Sequence, residues 1–166
     1  MADDLVEFLR ARLSEDEESV RAAMPGPWTN GADLDHLVDG IVYGPAPWPG
    51  LGNLSQVCDT RASHAQAANA AHIARHDPAR VLAEVEAKRA VLALFDIAKQ
   101  HMDKTRRTAP EYRLVQVSEI PYDALLCAVQ ALALPYAGHP NYREEWRPVT
   151  QMTSRHRPEP PDRHGA

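Results

Sequence analysis

Ala67-Ala-Asn-Ala-Ala-His-Ile-Ala-Arg-His-Asp-Pro-Ala-Arg-Val-Leu-Ala-Glu-Val-Glu-Ala-Lys-Arg89 carries the end of one helix and the start of the next. Its alanines favour a helix from about Ser63 to Arg75. Pro78 then disfavours a helical residue before it and suits a first helical position, while Asp77 can accept the orphan amides as an N-cap. A second helix is predicted from Pro78 to about Lys104. Val81, Val85, Leu92 and Phe95 form its buried stripe, with Leu82 at the edge. Lys88 lies on that stripe and is expected to snorkel. Glu84 and Lys88 stand in the favourable i,i+4 order for an ion pair.

Upstream, residues 3–24 read as an amphipathic helix that Asp3 or Asp4 can cap, with Leu5, Leu9, Leu13, Val20 and Ala23 in one broad stripe. Arg12 and Asp16 interrupt the stripe, and Ser14 with Glu17 has the spacing of a capping box, which admits a break into two helices. Met24-Pro-Gly-Pro-Trp28 ends the helix. Ile41–Tyr43 and Ser55–Cys58 have strand character and are separated by the Gly- and Pro-rich segment 44–52. They predict a small antiparallel hairpin or meander, with Trp28 a candidate for a third strand. Such a sheet must pack on the helices, because it is too small to stand alone in water.

Downstream, Leu114–Val117 reads as a short strand or an extended loop. Tyr122–Leu134 reads as a helix, apolar on most of its surface and therefore central. Pro135–Pro140 is a turn, and Tyr142–Trp146 has room for at most two helical turns. The expected fold is α+β: a bundle of three or four helices with a small antiparallel sheet on one side. A single domain over residues 1–148 is followed by a tail, 149–166, with the composition of disorder.

A chain of 166 residues, 44% hydrophobic and 25% charged, can build an ordinary core without metals or disulfides. The net charge of −5 opposes generic nucleic-acid binding, which depends on Lys and Arg neutralising phosphates. The basic runs Lys104–Arg107 and Arg155–Arg157 read as solvated surface. The acidic first residues contain no apolar signal region, no run reaches membrane-span length, and Cys58 and Cys127 are too few for a disulfide framework. A reduced, cytoplasmic setting is the expectation.

Ala23-Met-Pro-Gly-Pro-Trp28, taken with Ala68-Asn-Ala-Ala-His-Ile-Ala74 and Asp77-Pro-Ala-Arg-Val-Leu82, resembles a module common in small phage and prophage proteins. The core His72–Leu82, the first helix and the ending Leu134-Pro-Tyr-Ala-Gly-His-Pro-Asn-Tyr-Arg-Glu-Glu-Trp-Arg-Pro148 are more closely similar to one uncharacterised family from high-GC bacteria and their phages. The likeness spans roughly residues 3–148. It implies a shared architecture and carries no established activity. In the wider module Phe usually stands where this chain has His72, which implies an inward-facing packing position.

His72 and His76 have the i,i+4 spacing of two metal ligands, with His64, Asp77 and His139 as further donors and zinc or another divalent cation as the ion. Against this, zinc needs at least three protein ligands, His76 directly precedes the cap, and no Glu stands as in His-Glu-x-x-His. No nucleophile elbow, Walker loop or dinucleotide turn occurs. Cys127 reads as core, and Cys58 with His64 is a remote nucleophile–base pair. Trp28 and Trp146 either pin the chain ends to the core or line a partner-binding groove with Arg143 and Arg147 at its rim. The leading expectation is a non-enzymatic interaction or regulatory accessory protein of phage or mobile-element type, without cofactor, acting through a protein partner or self-association. The alternative is a metal-binding protein or metal-dependent hydrolase using His72 and His76. A third reading, nucleic-acid binding through Arg75, Arg80, Lys88 and Arg89, requires steep salt dependence.

Overall fold

The computed structural model describes residues 2–34, 37–46, 53–108 and 112–148. The expected tail, 149–166, and most of the Pro-rich loop, 47–52, lie outside those residues. Helix α1 (Ala2–Ala22) is followed by strands β1 (Thr29–Asn30), β2 (Ile41–Pro45) and β3 (Leu54–Asp59), then helices α2 (Gln66–Arg75), α3 (Pro78–Thr108) and α4 (Tyr112–Ala133). The fold is α+β, as the sequence predicts. Three antiparallel strands in the order β1-β2-β3 form one sheet. Helices α1, α3 and α4 pack on one another, and α2 packs on β1 and β2.

The corner falls where the sequence puts it. Helix α2 ends at Arg75, and α3 begins at Pro78. The Asp77 carboxylate accepts the Arg80 backbone N–H at 2.9 Å, satisfying an amide that has no partner within the helix. Gly26 lies against the same carboxylate, since a Cβ there would come 2.8 Å from Asp77 Oδ2. The Pro-Gly-Pro turn and the Asp-Pro corner, distant in sequence, are thus one joint between the sheet layer and the bundle. Gly44 has a similar role in β2: a Cβ there would meet Met24 Sδ at 2.9 Å and the Trp28 ring at 3.1 Å.

The principal core joins Leu5, Phe8, Leu9 and Leu13 of α1 to Val85, Leu92 and Phe95 of α3 and to Val129 and Ala133 of α4. Ile41, Val42 and Ala70 are buried between sheet and α2. Helix α1 does not break at Ser14. The Ser14 hydroxyl donates back to the Arg10 carbonyl at 3.0 Å, and Glu17 pairs with Arg21 and Arg89 instead of closing a capping box. The two residues that interrupt its apolar stripe have another use. Arg12 contacts the His139 ring, and Asp16 accepts the Tyr136 hydroxyl, so both hold the C-terminal segment 134–148 across α1. Glu84 pairs with Arg80 at 2.9 Å rather than with Lys88, whose ammonium lies 5.9 Å over the Tyr136 ring.

Two expectations fail in the last helix. Leu114–Val117 is neither strand nor loop but the opening of α4, which runs through Pro121. Proline lacks an N–H and usually marks a boundary, which is why the sequence suggests a start at Tyr122. Nor is α4 central. Among the described residues its chief neighbours are α1 and α3, and Leu114, Val117 and Ile120, with Leu134 just past its end, remain exposed. Cys127 is exposed as well, not core.

Candidate interaction face and the histidine corner

Helices α3 and α4 form an antiparallel hairpin that has two broad sides. Helix α1 fills one. On the other, helical periodicity aligns Leu94 and Ile97 with His101 and Lys104 along α3. A cleft of about 490 Å³ lined by His101, Lys104, Thr105, Thr108, Leu114, Val117, Ser118 and Pro121 shows that this stripe adjoins the one on α4. Ile97 is 62% exposed, Val117 61% and Ile120 66%, values unlike those of a buried stripe. Ala83, Ala87, Ala90, Ala124, Ala128 and Ala131 fill the intervening exposed positions with small apolar surface. Within Leu114–Tyr136 only Ser118, Val129 and Ala133 are fully buried. Exposed apolar side chains thus recur along this side of the hairpin, interspersed with His101 and Lys104.

The sequence signal for this face was present as apolar residues at helical spacing through 114–134. It was read as burial, because a helix apolar all round is ordinarily wrapped by others. The structure supplies too few neighbours for that.

The histidine corner offers polar chemistry. His76 is the residue after α2, as expected, and its backbone N–H bonds the His72 and Ile73 carbonyls. The two rings still meet, with centroids 4.3 Å apart. His76 Nδ1 lies 2.8 Å from the His72 carbonyl; since a carbonyl only accepts, this nitrogen carries a proton and donates it to the bond. His72 is exposed, against the inward position that the resemblance implies. It borders a cleft of about 480 Å³ with Asp59, Thr60, Ala62, Ser63, Asn69 and Ile73. Among the described residues no three His, Cys, Asp or Glu side chains converge, so the pair lacks the third protein ligand that zinc requires.

Around that cleft the polar groups are tied to each other. Arg61 clamps Asp59 through its guanidinium, with Nη2 at 2.6 Å, and through its backbone N–H at 2.9 Å. The side-chain hydrogen bond from Arg61 holds the Asp59 carboxyl down at about 2, so it is anionic at neutral pH. The Thr60 hydroxyl lies 2.8 Å from the carbonyls of both Gly40 and Gln66, and Asn69 donates to Ser63 Oγ at 2.9 Å. Gly40 has φ of +83°, a conformation that suits glycine at this turn.

The tryptophans part company. Trp146 is 2% exposed and packs on Phe8, ring centroids 5.0 Å apart, with the Arg143 guanidinium over its face. It anchors the C-terminal segment and presents no free surface. Trp28 is half-buried, its indole N–H donating to the Met24 carbonyl at 3.0 Å. Strand β1 begins just after it, at Thr29. Of the basic residues considered for nucleic acid, Arg80 is paired with Glu84 and Arg89 with Glu17.

A family model described as a family of unknown function (DUF6221) matches residues 2–148. The chain belongs to that family. No curated protein and no solved structure matches it significantly.

Proposed function

We propose that this DUF6221 member is a non-enzymatic interaction protein that works by presenting the uncovered side of the α3/α4 hairpin to a protein partner or to itself. One observation carries the reading: the most apolar helix of the chain leaves Leu114, Val117 and Ile120 between 47% and 66% exposed. Exposed apolar area costs free energy in water, roughly 25 cal/mol per Å², and covering it returns that amount. The likeness to small phage and prophage modules, and to a family from high-GC bacteria and their phages, supports an accessory role in a cytoplasmic setting. Native mass spectrometry of the chain recovered from its own cells tests the reading. The expected result is a complex heavier than the 18.4 kDa chain that is lost in Ile97→Glu. A bare 18.4 kDa species for both would refute it.

The contact of the two imidazoles supports a second reading, a metal-binding protein or metal-dependent hydrolase holding zinc or another divalent cation through His72 and His76. The remaining ligands would be water or substrate. Elemental analysis of untagged protein decides it: less than about 0.2 equivalents of metal, unchanged in His72→Ala, rules it out.

A further inference from the structure

We infer that the occupant of the uncovered hairpin side is a second copy of this chain, seated antiparallel about a two-fold axis that passes near Ala124. The inference deepens the interaction reading above and rests on it. The exposed apolar stripe runs from Leu114 near the start of α4 to Leu134 just past its end, and Ala124 is its midpoint. An isologous contact that covers the whole stripe must therefore cross there. Ala124, with Ala128 and Ala131 beside it, lets two α4 backbones approach closely. Larger side chains toward either end, Val117 and Leu134 among them, then pack across the axis.

The extent of the face suits a copy of itself. Six large apolar side chains exposed by between 39% and 66%, with the alanines between them, offer several hundred Å². That is of the order of the ~800 Å² per partner buried in a standard protein interface. Charge is complementary at the ends of the face, where the two-fold brings each Glu86 toward the partner's Lys104, twice per dimer, although the two Asp123 carboxylates beside the axis oppose it. The chain's own tail is a poor cover, since residues 149–166 contain only Val149 and Met152 as large apolar side chains. A bilayer is the other occupant that the test below distinguishes, since Lys104 lies on the face and Glu119 and Asp123 lie at its edge.

The test is sedimentation velocity of the full chain over about two decades of concentration, up to ~100 µM, beside Ile120→Lys and Val117→Lys. Both substituted positions are exposed, so circular dichroism should be unchanged. Wild type is expected to reach twice 18.4 kDa. Each variant should weaken dimerisation at least about 100-fold, because the two-fold buries every introduced charge twice. In a Cys58→Ser chain the two Cys127 residues, about 13 Å apart at Cα in this arrangement, should link through a short bismaleimide. A wild-type monomer throughout overturns the inference, as does a dimer indifferent to both lysines or unlinked at Cys127. Native mass spectrometry of the chain recovered from its own cells separates the two failures: a purified monomer that is found there in a heavier complex, lost in Ile97→Glu, loses the second copy but keeps the protein-interaction reading. A monomer that instead floats with phosphatidylcholine–phosphatidylglycerol vesicles, and ceases to in Ile120→Lys, loses both. A monomer that neither floats nor enters any complex loses both.

Discussion

Leu94 and Phe95 are neighbours in the chain and opposites in the structure. Phe95 is fully buried against Leu5, Leu9 and the Tyr122 ring side of the core, while Leu94 is 54% exposed on the far side of the same helix. The two sides of the α3/α4 hairpin both carry apolar side chains, but only one has a neighbouring helix among the described residues. Apolar composition therefore marks two kinds of surface here, one that folding consumes and one that it leaves over.

The sharpest way to break the comparison is to truncate on each side. Phe95→Ala should cost about 3–5 kcal/mol in denaturant unfolding, from lost burial plus a cavity. Leu94→Ala should cost far less in the monomer; comparable losses would mean the outer side is not free. Next in size, Tyr136→Phe removes the hydroxyl that donates to Asp16 and fastens the C-terminal segment over α1. A bond to a charged acceptor, partly exposed, predicts a loss of about 1–2 kcal/mol. Asp77→Ala, at the joint that sets the hairpin's start, should cost about 1 kcal/mol in thermal or denaturant melts by removing the N-cap. Ile97→Glu on the uncovered side should shift monomer stability by no more than about 0.5 kcal/mol while abolishing association.

The smallest effect is a pH dependence on the covered side. The Glu17 carboxyl is held below its ordinary value of 4.5, chiefly by the hydrogen bond from Arg89, which links α1 to α3. A depressed carboxyl contributes stability that is complete above the unfolded value and is lost as pH falls through the folded one. Glu17→Gln should therefore flatten the stability profile below about pH 4.5 and leave it unchanged in slope near neutrality. An unaltered acid limb would show that this pair does not couple α1 to α3.

Much of the fold was legible because the deciding signals are local. Asp77 and Pro78 constrain their own backbone, so the corner appears in the sequence as it does in the structure. Ile41–Tyr43 and Ser55–Cys58 show their strand character in the same way, though the strands extend a residue or two further. Errors came where a distant partner decides. Arg12 and Asp16 look like flaws in an amphipathic stripe until His139 and Tyr136 are seen to meet them. Pro121 looks like a boundary until α3 and α1 are seen to hold one helix together across it. Trp146, which the sequence leaves open between core anchor and partner groove, is the anchor because Phe8 packs against it.

Apart from Leu114–Val117, the sequence by itself determined the element types, the corner at Asp77-Pro78 and the helical phase of the apolar stripes in α1 and α3, since φ/ψ preference and periodicity act within a few residues. Only the tertiary structure decided which stripes are covered. Burial depends on how many neighbours reach a helix, and α4 has two where its composition suggests more. The same holds for the histidines: their spacing brings the rings together, but a third ligand must come from elsewhere in the fold, and none among the described residues does.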